Sequence, residues 1–395
     1  MGFLNCMMDE INQRVKFMQS QDYYFYLQPI EAMDGAWVTV GGRQMLMFAS
    51  YSYLGLLGHP KINAAAQEAI ERYGTGTHGV RILAGTLPLH EQLERAIAQF
   101  KHTDDAIVYS SGYVTNLTTV AALVGRNDVV LSDKLNHASI VDGCLLSHAK
   151  FVRFRHNDMD DLERRLQQAG DAARLVVTDA VFSMDGDIIN LPELSRLCRE
   201  YGVTLMVDEA HSVGVLGQTG QGIEEHFGLE DAIDLKMGTL SKTIPSVGGY
   251  IAGDKEVINY LKHHSRAFVF SAALPPAQVA AAQAALEVMQ AEPERVQALQ
   301  RNVEHFLTGL RTRGFDTLNS ATPIVPIICG SDERAYQMAR LCQERDIFVL
   351  PVVSPAVPPN MARLRANVMS SHTPEDIDRA LDVFAEAGKT MGLVT

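Results

Sequence analysis

The stretch Val203-Thr-Leu-Met-Val-Asp-Glu-Ala-His-Ser-Val-Gly-Val-Leu-Gly217 decides the fold. It opens on a near-continuous apolar run of strand length, which predicts a parallel strand buried on both faces. The run breaks off at Asp208 and His211. In open α/β sheets ligands bind beyond the carboxyl ends of the strands, so both side chains are expected at the edge of such a site. Further on, Asp234-Leu-Lys-Met-Gly-Thr-Leu-Ser-Lys-Thr-Ile-Pro-Ser-Val-Gly-Gly-Tyr-Ile-Ala-Gly253 carries a second strand-like segment into Lys242. Small hydroxyl residues surround that amine and Gly248-Gly249 follow it, so backbone and a compact anionic ligand can approach closely.

A lysine in this setting can form a Schiff base with the aldehyde cofactor pyridoxal phosphate (PLP), with nearby hydroxyls and amides receiving the phosphate. Asp208 can hold the pyridine nitrogen protonated, which makes the ring an electron sink, and His211 can donate to the phenolic oxygen. Taken singly, Lys242 reads as a solvated loop charge and Asp208 as a helix cap or turn residue. Together they favour the cofactor. Two more strand ends agree. Ala106-Ile-Val-Tyr-Ser-Ser-Gly-Tyr-Val-Thr-Asn116 reads as a strand, a turn and a helix beginning near Tyr113, whose free amides form a phosphate cradle. Asp128-Val-Val-Leu-Ser-Asp-Lys-Leu-Asn-His-Ala-Ser-Ile140 places His137 just after an apolar strand, where an imidazole could stack on an aromatic cofactor.

Successive motifs then resemble one family. Asn136-His-Ala-Ser-Ile-Val-Asp-Gly143, Phe154-Arg-His-Asn-Asp-Met159, Val181-Phe-Ser-Met-Asp-Gly-Asp187, Asp208-Glu-Ala-His-Ser-Val-Gly214 and Gly238-Thr-Leu-Ser-Lys242 are similar to the signatures of the α-oxoamine synthases, from about residue 30 to about residue 385. These are fold-type-I PLP enzymes that join an amino acid to an acyl thioester. The resemblance implies a large domain with a mainly parallel seven-stranded sheet covered by helices, a smaller α+β C-terminal domain, and a homodimer with shared active sites. It implies that Lys242 carries the cofactor, Asp208 partners the pyridinium, His137 stacks on the ring, and His211 and Ser183 lie near the phenolic oxygen. Thr239 and the backbone of Ser111, Gly112 and Tyr113 would hold the phosphate. In Ala362-Arg-Leu-Arg-Ala-Asn-Val368, Arg365 matches the family arginine that takes the substrate α-carboxylate, a planar bidentate task. Arg363 competes for that role and otherwise reads as an exposed salt-bridge residue.

Within the family, Tyr51 of Ser50-Tyr-Ser-Tyr-Leu-Gly-Leu56 and the segments Val141–Cys144 and Phe151–Asp158 lean towards the serine palmitoyltransferases. The expected reaction condenses an L-amino acid, serine favoured, with an acyl-CoA or acyl carrier protein thioester, giving a 2-amino ketone, carbon dioxide and a free thiol. A glycine- or alanine-using member of the 2-amino-3-ketobutyrate CoA ligase or 8-amino-7-oxononanoate synthase type is the alternative inside the family. A PLP aminotransferase is the alternative outside it. The pattern departs at Phe270-Ser-Ala-Ala-Leu-Pro-Pro276, where the family commonly carries hydroxyls that reach the neighbouring subunit's phosphate; Ala272 and Ala273 cannot.

Bulk properties fit an intracellular enzyme. The chain has 395 residues, 47% of them hydrophobic, enough for a large core and a smaller domain. It lacks both a run of about 18 uncharged apolar residues and a basic-then-apolar leader pattern, so neither a membrane span nor secretion is expected and the cytoplasm is. Cys6, Cys144, Cys198, Cys329 and Cys342 are odd in number and lack metal-ligand spacing, which predicts free thiols and no metal site. Thirty-four Lys and Arg against 47 Asp and Glu, a net charge of -13, argue against nucleic acid.

Three segments are expected: residues 1–49 as an N-terminal arm of helix and hairpin, 50–285 as the large PLP-binding domain, and 286–395 as the small domain. Gly74-Thr-Gly-Thr-His-Gly79 matches a dinucleotide fingerprint but follows a helical pattern, which rejects that reading and leaves a loop, with Arg81, near the substrate entrance. Val352–Pro359 is similarly expected to be an ordered loop of the small domain. The cluster Lys262-His263-His264-Ser265-Arg266 offers either positive charge for a thioester carrier or a solvated helix face.

Overall fold

The computed structural model describes residues 2–395, with the side chains of Phe3, Cys6 and Glu10 outside the description, so the expectation for Cys6 lies outside it too. The chain divides into two compact units. One comprises Tyr51–Ser183 and Asp187–Gln300; the other comprises the segment up to Ser50, Met184–Gly186 and Arg301–Thr395. The N-terminal arm thus groups with the C-terminal region instead of standing apart, and the large unit runs on past residue 285.

The larger unit is built on seven strands: β1 (Asp105–Tyr109), β2 (Val129–Asp133), β3 (Lys150–Phe154), β4 (Ala173–Asp179), β5 (Thr204–Asp208), β6 (Leu235–Ser241) and β7 (Pro245–Gly253). Their order across the sheet is β1-β7-β6-β5-β4-β2-β3. β2 pairs in parallel with β3 and β4, and β4, β5 and β6 pair in parallel in turn. β7 is antiparallel to both β1 and β6. Helices Gly112–Leu123, Ala138–Leu146, Met159–Ala169 and Leu191–Tyr201 link successive strands, the crossover arrangement that buries a parallel sheet on both faces. That burial explains the continuous apolar runs. All of β2 is buried, as is β5 after Thr204, and Val130, Val177, Met206, Met237 and Ile251 share one core.

In the other unit, Trp37–Val40 and Arg43–Met47 form the expected hairpin, with Gly41 and Gly42 at φ +56 and +73 in its turn, a conformation that side chains with a Cβ rarely adopt. Ile347–Phe348 joins Arg43–Met47 in parallel, which ties the arm to the C-terminal region. A second sheet orders β8 (Ile324–Gly330), β10 (Ala362–Asn367) and β9 (Leu350–Val352) with β10 in the centre, all antiparallel. The long helical stretch after Pro276 is two helices, Pro276–Ala291 and Glu294–Thr312, because Pro293 interrupts the hydrogen-bond ladder.

Candidate active site

Polar residues gather where the parallel strands of the larger unit end. β5 terminates in Asp208 with His211 just beyond, β6 ends at Ser241 beside Lys242, and β2 leads through a short turn to His137. After β1, Ser111 caps helix Gly112–Leu123, its Oγ accepting from Val114 N at 3.2 Å, so the first amides of that helix are directed outward. A cavity of about 270 Å³ opens at this edge, and Ser111, Gly112, Tyr113, His137, Ser183, Asp208, His211, Thr239 and Lys242 all line it.

The hydrogen bonds give the cavity its chemical sense. Asp208 is buried, and its carboxylate accepts from Asn116 Nδ2 at 2.6 Å and from Ala210 N at 2.8 Å, two donors that fix its orientation. Lys242 Nζ lies 2.7 Å from His211 Nε2, and Tyr53 Oη lies 2.8 Å from His211 Nδ1, so the three side chains form a continuous row. Tyr51 flanks it. Its ring centroid is 5.9 Å from Lys242 Nζ and 6.0 Å, edge on, from His211. Thr239 Oγ1 donates to Gly248 O at 3.1 Å and lies 2.8 Å from Ser241 Oγ. A Cβ on Gly112 would stand 2.8 Å from that Thr239 oxygen, so the absence of a side chain at 112 keeps the helix N-terminus open.

His137 Nδ1 faces Ser139 Oγ at 2.7 Å and Ser139 N at 3.3 Å, two groups that can donate to it; the ring proton therefore sits on Nε2. Burial lowers its pKa, with Lys242 adding to the effect and Asp208 opposing it, so the ring is neutral at physiological pH. The His137 amide donates to Asp179 Oδ2 at 2.8 Å. Burial, and then the Asp208 charge, raise the Asp179 pKa well above the ordinary carboxyl range. Tyr113 donates to Asp142, and its ring meets His137 edge on at 6.1 Å.

Other expected site residues sit elsewhere. Arg81 does not line the cavity: it forms a two-toothed ion pair with Glu94, at 2.8 and 3.1 Å, and its guanidinium covers the Phe268 ring. The carboxylate that pairs with this arginine is itself buried, on helix Pro88–Phe100. Arg363 does make a salt bridge, to Asp185, but its side chain is only 2% exposed, which corrects the surface reading. Arg365 is buried on the central strand β10 of the smaller unit, in register with Pro326 and Leu350. Lys262 of the basic cluster is neutralised by Asp105 at 3.0 Å and Glu94 at 3.7 Å, and His264 stacks on Tyr260.

Several residues at the site escaped the sequence reading: Tyr53, Asn116, Ser139, Asp179 and Ser241. A signal existed for Asn116, which lies one helical turn after Gly112 and so shares its inward face. Tyr53 is fully buried and touches His211 across 158 residues of chain, a separation that local pattern does not register.

The cavity fits an aldehyde cofactor bearing a phosphate. It offers an amine, a buried carboxylate, an unhindered helix N-terminus beside Thr239, and Asn116 Oδ1 buried without a hydrogen-bond partner. Comparison with known proteins agrees. The family model for aminotransferase class I and II matches residues 43–384. A serine palmitoyltransferase of Sphingobacterium spiritivorum is 44% identical over 95% of this chain and 94% of its own length. An 8-amino-7-oxononanoate synthase of Geobacter sulfurreducens is 46% identical over 95% of this chain and 97% of its own.

The chain belongs to the α-oxoamine synthase family.

A solved structure described as SPT with its PLP internal aldimine superposes on this α-oxoamine synthase with a TM-score of 0.94 at 34% identity, covering 99% of each chain. The family is PLP-dependent and of fold type I, and the seven-stranded, mainly parallel sheet accords with that. Among the described residues no helix is long and apolar enough to cross a membrane, and no cluster of His, Cys, Asp or Glu is arranged to hold a metal ion. Cys144, Cys198, Cys329 and Cys342 are free and buried, and burial pushes all four thiols up, that of Cys198 to about 12.

Proposed function

We propose that this protein is a PLP-dependent C-acyltransferase that condenses serine with a medium or long acyl thioester, releasing carbon dioxide and the free thiol and forming a 2-amino ketone. The observation that carries the reading is the row Tyr53–His211–Lys242 facing the buried Asp208 across one cavity. When bound, PLP supplies an aldehyde for an imine and an electron-poor ring that takes up the electron pair set free at the amino-acid α-carbon. Lys242 would hold the cofactor and, its amine freed when the amino acid binds, would be the base that takes the α-proton. His211, 2.7 Å from its amine, keeps that nitrogen aligned. Asp208 would hold a proton on the ring nitrogen, and Asn116 and the Ala210 amide orient its carboxylate for that purpose.

His137 is neutral and carries its proton on Nε2, so it can donate to the thioester carbonyl as charge develops there. Ser183 would stand by the phenolic oxygen, and Thr239 with the amides of the 111–113 turn would receive the phosphate. Arg365 is assigned the substrate carboxylate. Tyr51, its ring centroid 5.9 Å from Lys242 Nζ, supports serine over glycine as the amino acid.

The comparably high identity to an 8-amino-7-oxononanoate synthase favours a second reading, in which the amino acid is alanine or glycine. A homodimer is part of the proposal. The phosphate contact from its partner must differ from the family's habit, because Ala272 and Ala273 carry no hydroxyl.

The test is a two-stage titration. Serine, glycine and alanine are added in turn to the PLP-loaded protein while its visible spectrum is followed, and acyl-CoA or acyl carrier protein thioesters of graded length are then added. A spectral response to serine, followed by one thiol and one carbon dioxide per product without a keto acid, is expected. Pyridoxamine phosphate in stoichiometric yield with no thiol release would establish transamination instead. Preference for alanine or glycine by orders of magnitude would establish the second reading.

A further inference from the structure

His156 belongs to the Phe154-Arg-His-Asn-Asp-Met159 motif, yet it does not line the cavity. Its surroundings are specific. Nδ1 lies 3.1 and 3.3 Å from the two oxygens of Asp133, and Nε2 lies 2.9 Å from Asp187 Oδ2. Both ring nitrogens therefore face carboxylates, which accept and cannot donate when ionised; both nitrogens must carry protons. Asp133 is fully buried and also accepts from Leu135 N and Asn157 N, each at 2.8 Å, so both of its oxygens already act as acceptors towards the turn. Asp187 Oδ1 is buried with no hydrogen-bond partner. The Phe182 ring closes over the imidazole at 4.4 Å, edge on. Burial opposes the charge on His156, but its hydrogen bonds to Asp133 and Asp187 overcome it and push the pKa up to about 10.

The two carboxylates belong to different walls of the cavity. Asp133 ends β2, and the turn that it caps through Leu135 N leads directly to His137. Asp187 closes the loop that leaves β4, where Phe182 N donates to Asp187 O at 3.1 Å and Val181 bridges Ile188; Ser183 is carried inside that loop. We infer that His156 is a positioning residue: as a doubly protonated imidazolium held between Asp133 and Asp187, it clamps the His137 turn to the Ser183 loop and so sets the spacing of the two walls. This rests on the PLP-dependent reading of the cavity, but the clamp itself is a property of the chain.

Two measurements test it. In the first, histidine-labelled protein is followed by ¹⁵N NMR without and with PLP, using His156→Gln to assign the ring signal. Both nitrogens of His156 should resonate as protonated and stay so to pH 9 in either form. One unprotonated nitrogen, or titration near the ordinary histidine value, overturns the clamp. In the second, the visible circular dichroism of bound PLP reports the geometry of the walls. His156→Gln should lose most of that signal and about tenfold in kcat, with KM for serine within about twofold, since misplacement of reacting groups acts on the chemical step. Wild-type dichroism and kcat would overturn the inference.

Removing the imidazole also leaves buried Asp133 without its partner, a change that can prevent folding; Asp187→Asn keeps the Asp133–His156 pair and should show the same pattern at about a threefold loss in kcat. Asp187→Asn with unaltered dichroism and kcat counts against the clamp equally. If the wild-type protein takes up no PLP, it is the functional reading that fails, and the NMR measurement still decides the state of His156.

Discussion

Lys242 and Asp208 divide the chemistry between two residues, and each can be removed separately. Lys242→Ala deletes the Schiff-base partner and the base together but leaves Asp208, His137 and the phosphate cradle in place. The variant should bind PLP without the absorbance of a covalent adduct and lose at least about a thousandfold in turnover; wild-type turnover would end the assignment. Asp208→Asn keeps the shape and removes the charge. It should lower kcat about a hundredfold while the serine KM changes little, because the lost interaction strengthens as charge moves onto the ring. A change confined to KM would refute the electron-sink role. At this scale the sequence is legible where a polar residue interrupts an apolar strand, as Asp208 does. It is silent where the role is set by a distant partner: Arg81 looked available until Glu94 claimed it, and Tyr53 gave no sign of His211.

The elements that matter most are the short turns between strands and helices. Helix Gly112–Leu123 starts one residue before the position its pattern suggested, and the difference is functional, since the first amide then belongs to a glycine. Gly112→Ala would press a methyl against Thr239, 2.8 Å away. Overpacking of this kind costs about 1–3 kcal/mol, so the PLP dissociation constant should rise about tenfold or more while far-ultraviolet circular dichroism is unchanged. Fluorescence titration with PLP measures it, and unaltered affinity would remove the cradle from this helix. Strands were the most readable elements, because two-sided burial forces continuous apolar runs in β2 and β5. The division of the chain was less readable: which segments share a unit depends on pairings such as Ile347 with Leu46, and nothing in either segment announces the other.

For the molecule as a whole, His372 links the smaller unit to pH. It is buried against Phe48, its Nδ1 accepting from Met369 N at 3.0 Å and its Nε2 donating to Met47 O at 2.9 Å, a pattern only the neutral ring can satisfy. Burial lowers its pKa to about 4. The unfolded chain, with an ordinary histidine, binds the extra proton from about pH 6.5 downward. The stabilisation is therefore complete above about pH 6.5, declines as pH falls, and is gone by about pH 4, a change of roughly 3 kcal/mol. Urea midpoints between pH 7 and 4.5 should fall steeply for the wild type and less for His372→Gln. Parallel curves would show that other groups govern acid stability.

The placement of Lys242 between β6 and β7 also bears on the order in which the site is assembled. Those strands form a local hairpin whose register shifts between Pro245 and Gly249, and such pairings close within microseconds because little chain must be ordered first. Asp208 reaches its place only through parallel pairing on both sides, and its Asn116 contact spans 92 residues. Long-range pairing of this kind is slow. In refolding from denaturant, the reactive amine should be in its turn long before its carboxylate counterpart arrives. Capture of PLP should follow the slowest phase, making the colour of the protein a clock for completion of the parallel sheet.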